Sequence, residues 1–235
     1  LQAFYHAQMT GSFDDLLARR HSVRAFTDAP IERRTLEKIC NAARHAPSGA
    51  NLQPGKFHVL TGAALQDLKD RLAWAVSEST PVDLEYSYFP EQMSAVLKDR
   101  QNKVGFALYK ALGIARRDVA GRREQFAKNY AFFDAPVGVV VTIDRNMGKG
   151  CFMDLGMAIM TFLLATEAEG LGCTGIGAIA NYGSIVGKHL GLPDDEMVVC
   201  GIAMGVADAD VPVNQFKTER DALDVFTTFR GFDIE

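Results

Sequence analysis

A run of basic residues near the N-terminus is the first place where the sequence could support chemistry. Arg20, His21, Ser22 and Arg24 directly follow Arg19, so three guanidinium groups and a hydroxyl fall within six residues. Guanidinium groups bind phosphate or carboxylate oxygens bidentately, and a serine hydroxyl adds a neutral donor. Cations are also favoured at the C-terminal end of a helix. The run alone therefore predicts either an anion site or an ordinary helix end.

A second polar stretch runs from Pro47 to Pro54 and begins Pro47-Ser48-Gly49. Its amide side chains, Asn51 and Gln53, can pair with the mixed donor and acceptor edge of a heterocycle. The same composition is typical of any surface loop, so the stretch is ambiguous by itself.

Glycines and late cations supply two further candidates. Gly170 to Gly175 match the GxGxxG spacing of dinucleotide sites, but that motif needs a preceding strand, and an apolar helix precedes it here. A glycine-rich turn is predicted instead, in which Gly175 and Gly177 flank Ile176 and let the backbone approach a flat ligand. Lys217 and Arg220 are either surface charges or part of an anion site.

The sequence offers no obvious protein nucleophile. Ser-His-Asp, Cys-His and paired-carboxylate patterns do not stand out, and the histidines lack metal-ligand spacing. The cysteines form no CxxC pair and are predicted to be reduced thiols. Chemistry carried by a bound cofactor would need none of these groups.

The elements that must position these residues are mainly helical. Ser12 opens a capping box before one helix, and a second lies between Pro30 and Pro47. Strands are predicted at 56–60, 137–142 and 197–204, and a β-prone tail at 223–229. The helix at 151–168 is apolar nearly all round, which predicts burial on all sides, easily completed by a subunit partner. We expect an α+β fold with a small sheet.

Composition limits the function classes. Hydrophobic residues make up 48% of the 235 residues, and the net charge of −4 gives no bulk attraction for nucleic acid. The most apolar stretch, 151–165, is shorter than the roughly 20 residues of a membrane span. We expect a cytoplasmic protein without nucleic-acid or membrane partners. Residues 1–11 are expected to form a flexible extension, and residues 12–235 a single domain with a variable helical excursion at about 80–123.

Together, Arg20-His-Ser-Val-Arg24-Ala-Phe26 and Pro47-Ser-Gly-Ala-Asn51-Leu-Gln53-Pro54 resemble the FMN-dependent nitroreductase family. The resemblance runs from about Phe13 to Phe232. It implies a nitroreductase-like fold, in which helices surround a small central, mostly antiparallel sheet. It also implies an intertwined homodimer with FMN at the subunit interface.

The resemblance also implies roles for individual residues. Arg20 and Ser22, with His21 between them, would meet the phosphate and ribityl chain of FMN, and Arg24 would lie near the N1–C2=O side of the ring. A backbone N–H of the stretch Gly175, Ile176 and Gly177 would face N5. The remaining FMN-binding residues would be Pro47, Ser48, Gly49 and Asn51 from the other subunit, and Lys217 and Arg220 at the phosphate.

The implied activity is transfer of two electrons from NADH or NADPH, by ping-pong kinetics, to a small planar acceptor such as a nitroaromatic compound or a quinone. The substrate pocket would be formed by aromatic residues and a methionine, namely Tyr86, Tyr88, Phe89, Met93 and Phe226, although plain packing also explains them. The alternatives are an FMN-dependent enone or free-flavin reductase, a non-catalytic flavin-binding redox protein, and an interaction domain without a cofactor.

Overall fold

A computed structural model of the chain describes residues 12–232. The expected N-terminal extension, residues 1–11, lies outside the described residues. In that range the helices are α1 (Phe13–Arg19), α2 (Arg33–Ala43), α3 (Gly62–Ser77), α4 (Ala95–Ala111), α5 (Val119–Ala127), α6 (Lys149–Ala168), α7 (Gly183–Leu190), α8 (Pro212–Gln215) and α9 (Leu223–Phe226). The strands are β1 (Lys56–Thr61), β2 (Val137–Asp144), β3 (Gly172–Ile176) and β4 (Glu196–Gly205).

Within residues 12–232 the strands form one sheet in the order β1-β2-β4-β3, with every neighbouring pair antiparallel. β2 and β4 are central and nearly continuous in apolar residues, as expected for strands covered on both faces. One β-bulge interrupts the β2–β4 ladder between Val141 and Thr142. The predicted α+β fold with a small antiparallel sheet is confirmed.

Alternate residues of the central strands enter two separate cores. Val139 and Val141 pack with side chains of α2 and α6, whereas Val140 packs with side chains of α3 and α7. This follows from the period of two along a strand, which sends successive side chains to opposite faces. The sheet therefore lies between two helical layers and provides a rigid base for its edge strand, β3.

Two local predictions were wrong. The glycine-rich stretch from Gly170 to Gly177, expected to be a turn, contains strand β3, because pairing with β4 satisfies its backbone and the turn falls earlier, at Gly170 with φ +73°. Gly172 is required there, since a Cβ atom would lie 2.6 Å from Cγ2 of Val23. The expected β-prone tail begins with helix α9. A strand needs a partner, and this segment pairs with no strand in the described part of the chain.

Helix α6 is longer than its sequence suggested. Its 20 residues make it the one helix within residues 12–232 that is long and apolar enough, by length and composition, to cross a membrane. In the fold, α6 packs against α2 and β3 and places Leu155 and Phe162 in the core. It leaves Met153, Met157 and Met160 exposed along one side.

Candidate functional site

The sequence-predicted cations of the N-terminal run and of the tail meet around one cavity of about 240 Å³. Four cationic side chains line it, and the lining contains no carboxylate. Its walls are Leu17, Ala18, Arg20, His21, Ser22, Arg24, Phe216, Lys217, Thr218 and Arg220. Such a concentration of positive charge with hydroxyl groups suits an anion.

The basic run is held by backbone pairing on both sides. A bridge joins Ser22 to Cys173 of β3, where the N–H of Val23 donates to the Cys173 carbonyl at 3.1 Å. A second bridge joins Phe26 to Ala207. The run follows α1, whose capping box between Ser12 and Asp15 is present as predicted. Its arginines are therefore tied to the end of a helix and to the edge of the sheet.

Asn214 is a positioning residue that the sequence did not reveal. This buried amide accepts a hydrogen bond from the Arg24 N–H at 2.8 Å and donates to the carbonyls of Ala25 and Asp208, both at 2.7 Å. Its partners are separated from it by up to 190 residues, so no local motif could identify it. Phe216 and Thr218, which line the cavity, were missed for the same reason.

The two tail cations are held differently. Lys217 Nζ donates to the Ala18 carbonyl at 2.9 Å, which joins the tail to α1. The Arg220 guanidinium bonds within its own turn, to Thr218 and the Glu219 carbonyl, and forms no ion pair within residues 12–232. By contrast, Arg19 turns to α6 and pairs with Glu167 at 3.2 Å.

Two side chains of the basic run, His21 and Arg24, carry polar groups that are buried without full hydrogen-bond or charge compensation. His21 Nδ1 donates to the Arg19 carbonyl at 2.8 Å, while the buried Nε2 has no hydrogen-bond partner among the described residues. Burial lowers the pKa of the Arg24 guanidinium, since desolvation disfavours its charge. A bound anion would offset the cost at Arg24, whereas Nε2 of the neutral His21 ring can only accept, from a donor such as a ribityl hydroxyl. The cationic lining thus fits the phosphate end of FMN, and the unpartnered nitrogen fits the hydroxylated chain next to it.

The edge of β3 beside this cavity is open beyond Cys173. The carbonyl of Cys173 points away from β4, to Val23. Because strand residues alternate, the backbone N–H and C=O of Gly175 point away from β4, as the carbonyl of Cys173 does, whereas those of Ile176 face β4. Gly175 is exposed, and the Ile176 side chain is buried. A flat ligand could therefore reach the backbone at Gly175.

Residues 80–93, here called the aromatic segment, lie over the turn that follows β3. The Asp83 carboxylate accepts from the Ser184 N–H at 2.9 Å, and Glu85 forms an ion pair with Arg145. Tyr88 lies beside Gly177: a Cβ atom added to Gly177 would lie 3.4 Å from the Tyr88 ring. The ring of Phe89 stands edge-on to Tyr88 at 5.0 Å.

Tyr86 is used partly for packing. Its hydroxyl donates to the Val199 carbonyl and its ring packs near Phe152, 6.1 Å between centroids. Burial raises the pKa of Tyr86 to about 12, so the hydroxyl stays protonated at neutral pH. Met93 lines a different cavity, next to α4, and Phe226 is 87% exposed. The structure thus brings Tyr88 to Gly177, with Phe89 packed against Tyr88, but it brings neither Met93 nor Phe226 there.

The loop that contains Pro47, Ser48, Gly49 and Asn51 does not line the cavity of its own chain. It contacts α6, where the Gly49 N–H donates to Asp154 at 3.0 Å, and the Ser48 hydroxyl accepts from the Gln53 N–H at 2.9 Å. Asn51 adopts a left-handed conformation with φ +56°. Such backbone costs about 1 kcal/mol or more and concentrates at functional sites.

Residues 17–206 match the model of the nitroreductase family. The chain belongs to the nitroreductase family. It is 35% identical to a 4-nitrobenzoate reductase of Pseudomonas putida, over 97% of this chain and 99% of that protein.

Solved structures agree with this family assignment. The fold is similar to an FMN- and NADPH-dependent nitroreductase from Sphigopyxis sp. strain HMH, with a TM-score of 0.92 and 39% identity over 94% of this chain and 100% of that one. The fold is also similar to an FMN-dependent nitroreductase of Mycobacterium smegmatis, solved in complex with NADPH, with a TM-score of 0.88. The two are 29% identical over 95% of this chain and 99% of that one. The nitroreductase-like fold predicted from the sequence motifs is confirmed.

Proposed function

We propose that this nitroreductase-family chain binds FMN and reduces nitroaromatic compounds with electrons from NADH or NADPH. The observation that carries the proposal is the convergence of Arg20, Arg24, Lys217 and Arg220, from opposite ends of the chain, around one anion-sized cavity. Bound FMN supplies the two-electron redox chemistry. The protein must hold it, orient it and control access to it.

Each part of the cavity has a role in holding the cofactor. Arg20, Ser22, Lys217 and Arg220 bind the phosphate, where bidentate guanidinium contacts are strongest. Arg24 lies deeper and places a partly desolvated cation near the N1–C2=O side of the ring, where it stabilises negative charge. The open backbone of β3 offers an N–H to the ring without steric conflict.

The aromatic segment provides the acceptor site. Tyr88 stands next to Gly177 with Phe89 edge-on to it, and the two rings offer surfaces to a planar molecule, while Tyr86 anchors the segment to β4. Aromatic pairs add about 0.5–1.5 kcal/mol beyond the burial of area. The similarity to a 4-nitrobenzoate reductase along 97% of the chain supports a nitroarene as the acceptor.

We further propose that the active form is a homodimer. The cavity of about 240 Å³ is smaller than the roughly 300–1,000 Å³ of typical ligand sites, so one chain lacks a complete wall. The loop at 47–51 does not line its own cavity, and α6 exposes three methionines on one side. A second chain that covers α6 would bring this loop, and the tail with Phe226, to the partner's site.

Sedimentation of the flavin-loaded protein tests the dimer. Met157→Glu places a charge in the exposed stripe of α6 and is expected to give monomers that have lost FMN. Met93→Glu, outside that stripe, is the control and should remain dimeric. A Met157→Glu monomer with full flavin content would contradict a site shared between subunits.

The packing of α6 also bears on the cellular location. Because α6 packs in the fold and its exposed side suits a second chain, we propose that the protein works in the cytoplasm without a membrane partner. The net charge of −4 and the confinement of the cationic lining to one cavity support a small-molecule ligand rather than nucleic acid.

The cofactor is tested directly by purifying the full chain. A yellow protein that releases FMN on denaturation is expected, and Arg20→Ala or Arg220→Ala should lose most of the bound flavin, since each leaves phosphate charge unpaired. A colourless protein that takes up no added FMN would refute the proposal.

The acceptor is tested by turnover. With NADH and NADPH in parallel, 4-nitrobenzoate should be reduced faster than a quinone, an α,β-unsaturated ketone or free flavin, with ping-pong kinetics. Preferential reduction of the ketone or of free flavin would assign the chain to the alternative activities. Failure of both nicotinamides to bleach the bound flavin would indicate a non-catalytic flavoprotein.

A further inference from the structure

The tail turn that supplies Arg220 to the cavity also carries two carboxylates. Glu219 and Asp221 directly flank Arg220. A carboxylate beside a phosphate-binding guanidinium competes with the phosphate for it and repels the phosphate charge. The Arg220 guanidinium forms no ion pair in the described range, so it remains available to an anion.

Helix α4 supplies a cation that pairs with one of these carboxylates. Arg100 forms an ion pair with Asp221, in which both side chains are about half exposed (48% and 44%). Lys103, one turn further along α4, pairs with Asp99 at 2.8 Å. The pKa of Lys103 is raised by Asp99 first, and also by Glu219 and Asp221, which places both tail carboxylates near the helix. α4 and α8 are in contact as well.

We propose that Arg100 is a positioning residue for cofactor binding: it holds the Asp221 carboxylate against α4 and so keeps Arg220 available for the FMN phosphate. The inference rests on the proposed function. It assigns a role to α4, a helix that does not line the cavity, through a residue that touches neither the phosphate nor the ring.

The size of the effect follows from the exposure of the pair. Half-exposed ion pairs contribute at most about 1 kcal/mol, so Arg100→Ala should weaken FMN binding by about twofold to fivefold. Riboflavin has the same ring without the phosphate. Its affinity should not change, because Asp221 acts on the phosphate contact alone.

The experiment is an equilibrium titration of the flavin-free full-length chain with FMN and with riboflavin, followed by flavin fluorescence. Lys98→Ala removes the same charge from α4, at a residue that forms no ion pair within residues 12–232, and should leave both affinities unchanged. Arg100→Lys should bind FMN nearly as the native chain does. An unchanged FMN affinity in Arg100→Ala, or an equal loss for riboflavin, would overturn the proposal.

A double variant separates the carboxylate from other effects of Arg100. Asp221→Asn removes the competing charge, so Arg100→Ala combined with Asp221→Asn should recover native FMN affinity. A double variant as weak as Arg100→Ala alone would refute the assignment while FMN binding by the native chain leaves the proposed function standing. A native chain that binds neither flavin would overturn both. Equal unfolding midpoints of the flavin-free variants confirm that each has folded.

Discussion

Replacing the buried Asn214 with alanine tests how the basic run is positioned. The amide connects the Arg24 N–H to the carbonyls of Ala25 and Asp208. After truncation the Ala25 carbonyl keeps its bond from the Asp208 N–H at 3.1 Å, but the Arg24 N–H and the Asp208 carbonyl lose their partner. A buried group left unsatisfied costs about 1–3 kcal/mol, so Asn214→Ala should lower the free energy of unfolding by about 2–4 kcal/mol.

The measurement is urea unfolding of the flavin-free chain at fixed protein concentration, with FMN affinity measured alongside. Because the Arg24 backbone loses a restraint, FMN should bind about tenfold more weakly, equivalent to roughly 1.4 kcal/mol. Gln215→Ala is the matched control, since Gln215 is exposed and its one hydrogen bond is long, at 3.4 Å. The control should lose less than about 0.5 kcal/mol. If Asn214→Ala is no less stable than Gln215→Ala, the assigned role of the buried amide is wrong.

Three further predictions concern the supports of the site. Burial opposes ionisation of Glu196, but its hydrogen bonds, of which that from Lys56 is the strongest, lower its pKa to about 2. The stability that the ionised carboxylate provides is therefore present above about pH 4.5 and is lost as the pH falls towards 2. Because the lysine is exposed, Glu196→Gln should remove about 1–2 kcal/mol of this pH-dependent stability, and equal acid unfolding curves would contradict it. Gly172→Ala should lower the free energy of unfolding by about 1–3 kcal/mol, because the new methyl group would overlap Val23. Thermal unfolding should show that a second change, Val23→Ala, recovers part of that loss. Glu85→Gln breaks its ion pair and should speed hydrogen exchange in the aromatic segment by about fivefold, whereas unchanged exchange would mean that the pair does not hold the segment.

Short-range patterns in the sequence predicted most of the scaffold. Apolar runs identified β2 and β4, and the capping box identified α1, because both signals depend on neighbouring residues. β3 was missed since its glycines are typical of a turn, and only pairing with β4 makes it a strand. The four residues of α9 carry a β-prone sequence, but no strand of the described chain lies beside them.

For the site, residue type alone left the cations ambiguous, and the resemblance of two motifs to a known family assigned them to the phosphate. Six of the predicted residues line one cavity, namely Arg20, His21, Ser22, Arg24, Lys217 and Arg220. Asn214 was not recognised, since it acts through backbone groups far away in the chain. The roles of Pro47, Ser48, Gly49 and Asn51 stay predictions, because they depend on a second chain.

The two ends of the chain contribute to the cavity with unequal rigidity. The arginine run is fastened to the sheet by backbone pairing, while Arg220 is attached to a tail whose contact with α4 is an exposed ion pair. A cofactor held between a fixed wall and a hinged one leaves by the hinged side. Flavin exchange would then require only displacement of the tail at 216–232, with the sheet and the paired arginine run unchanged.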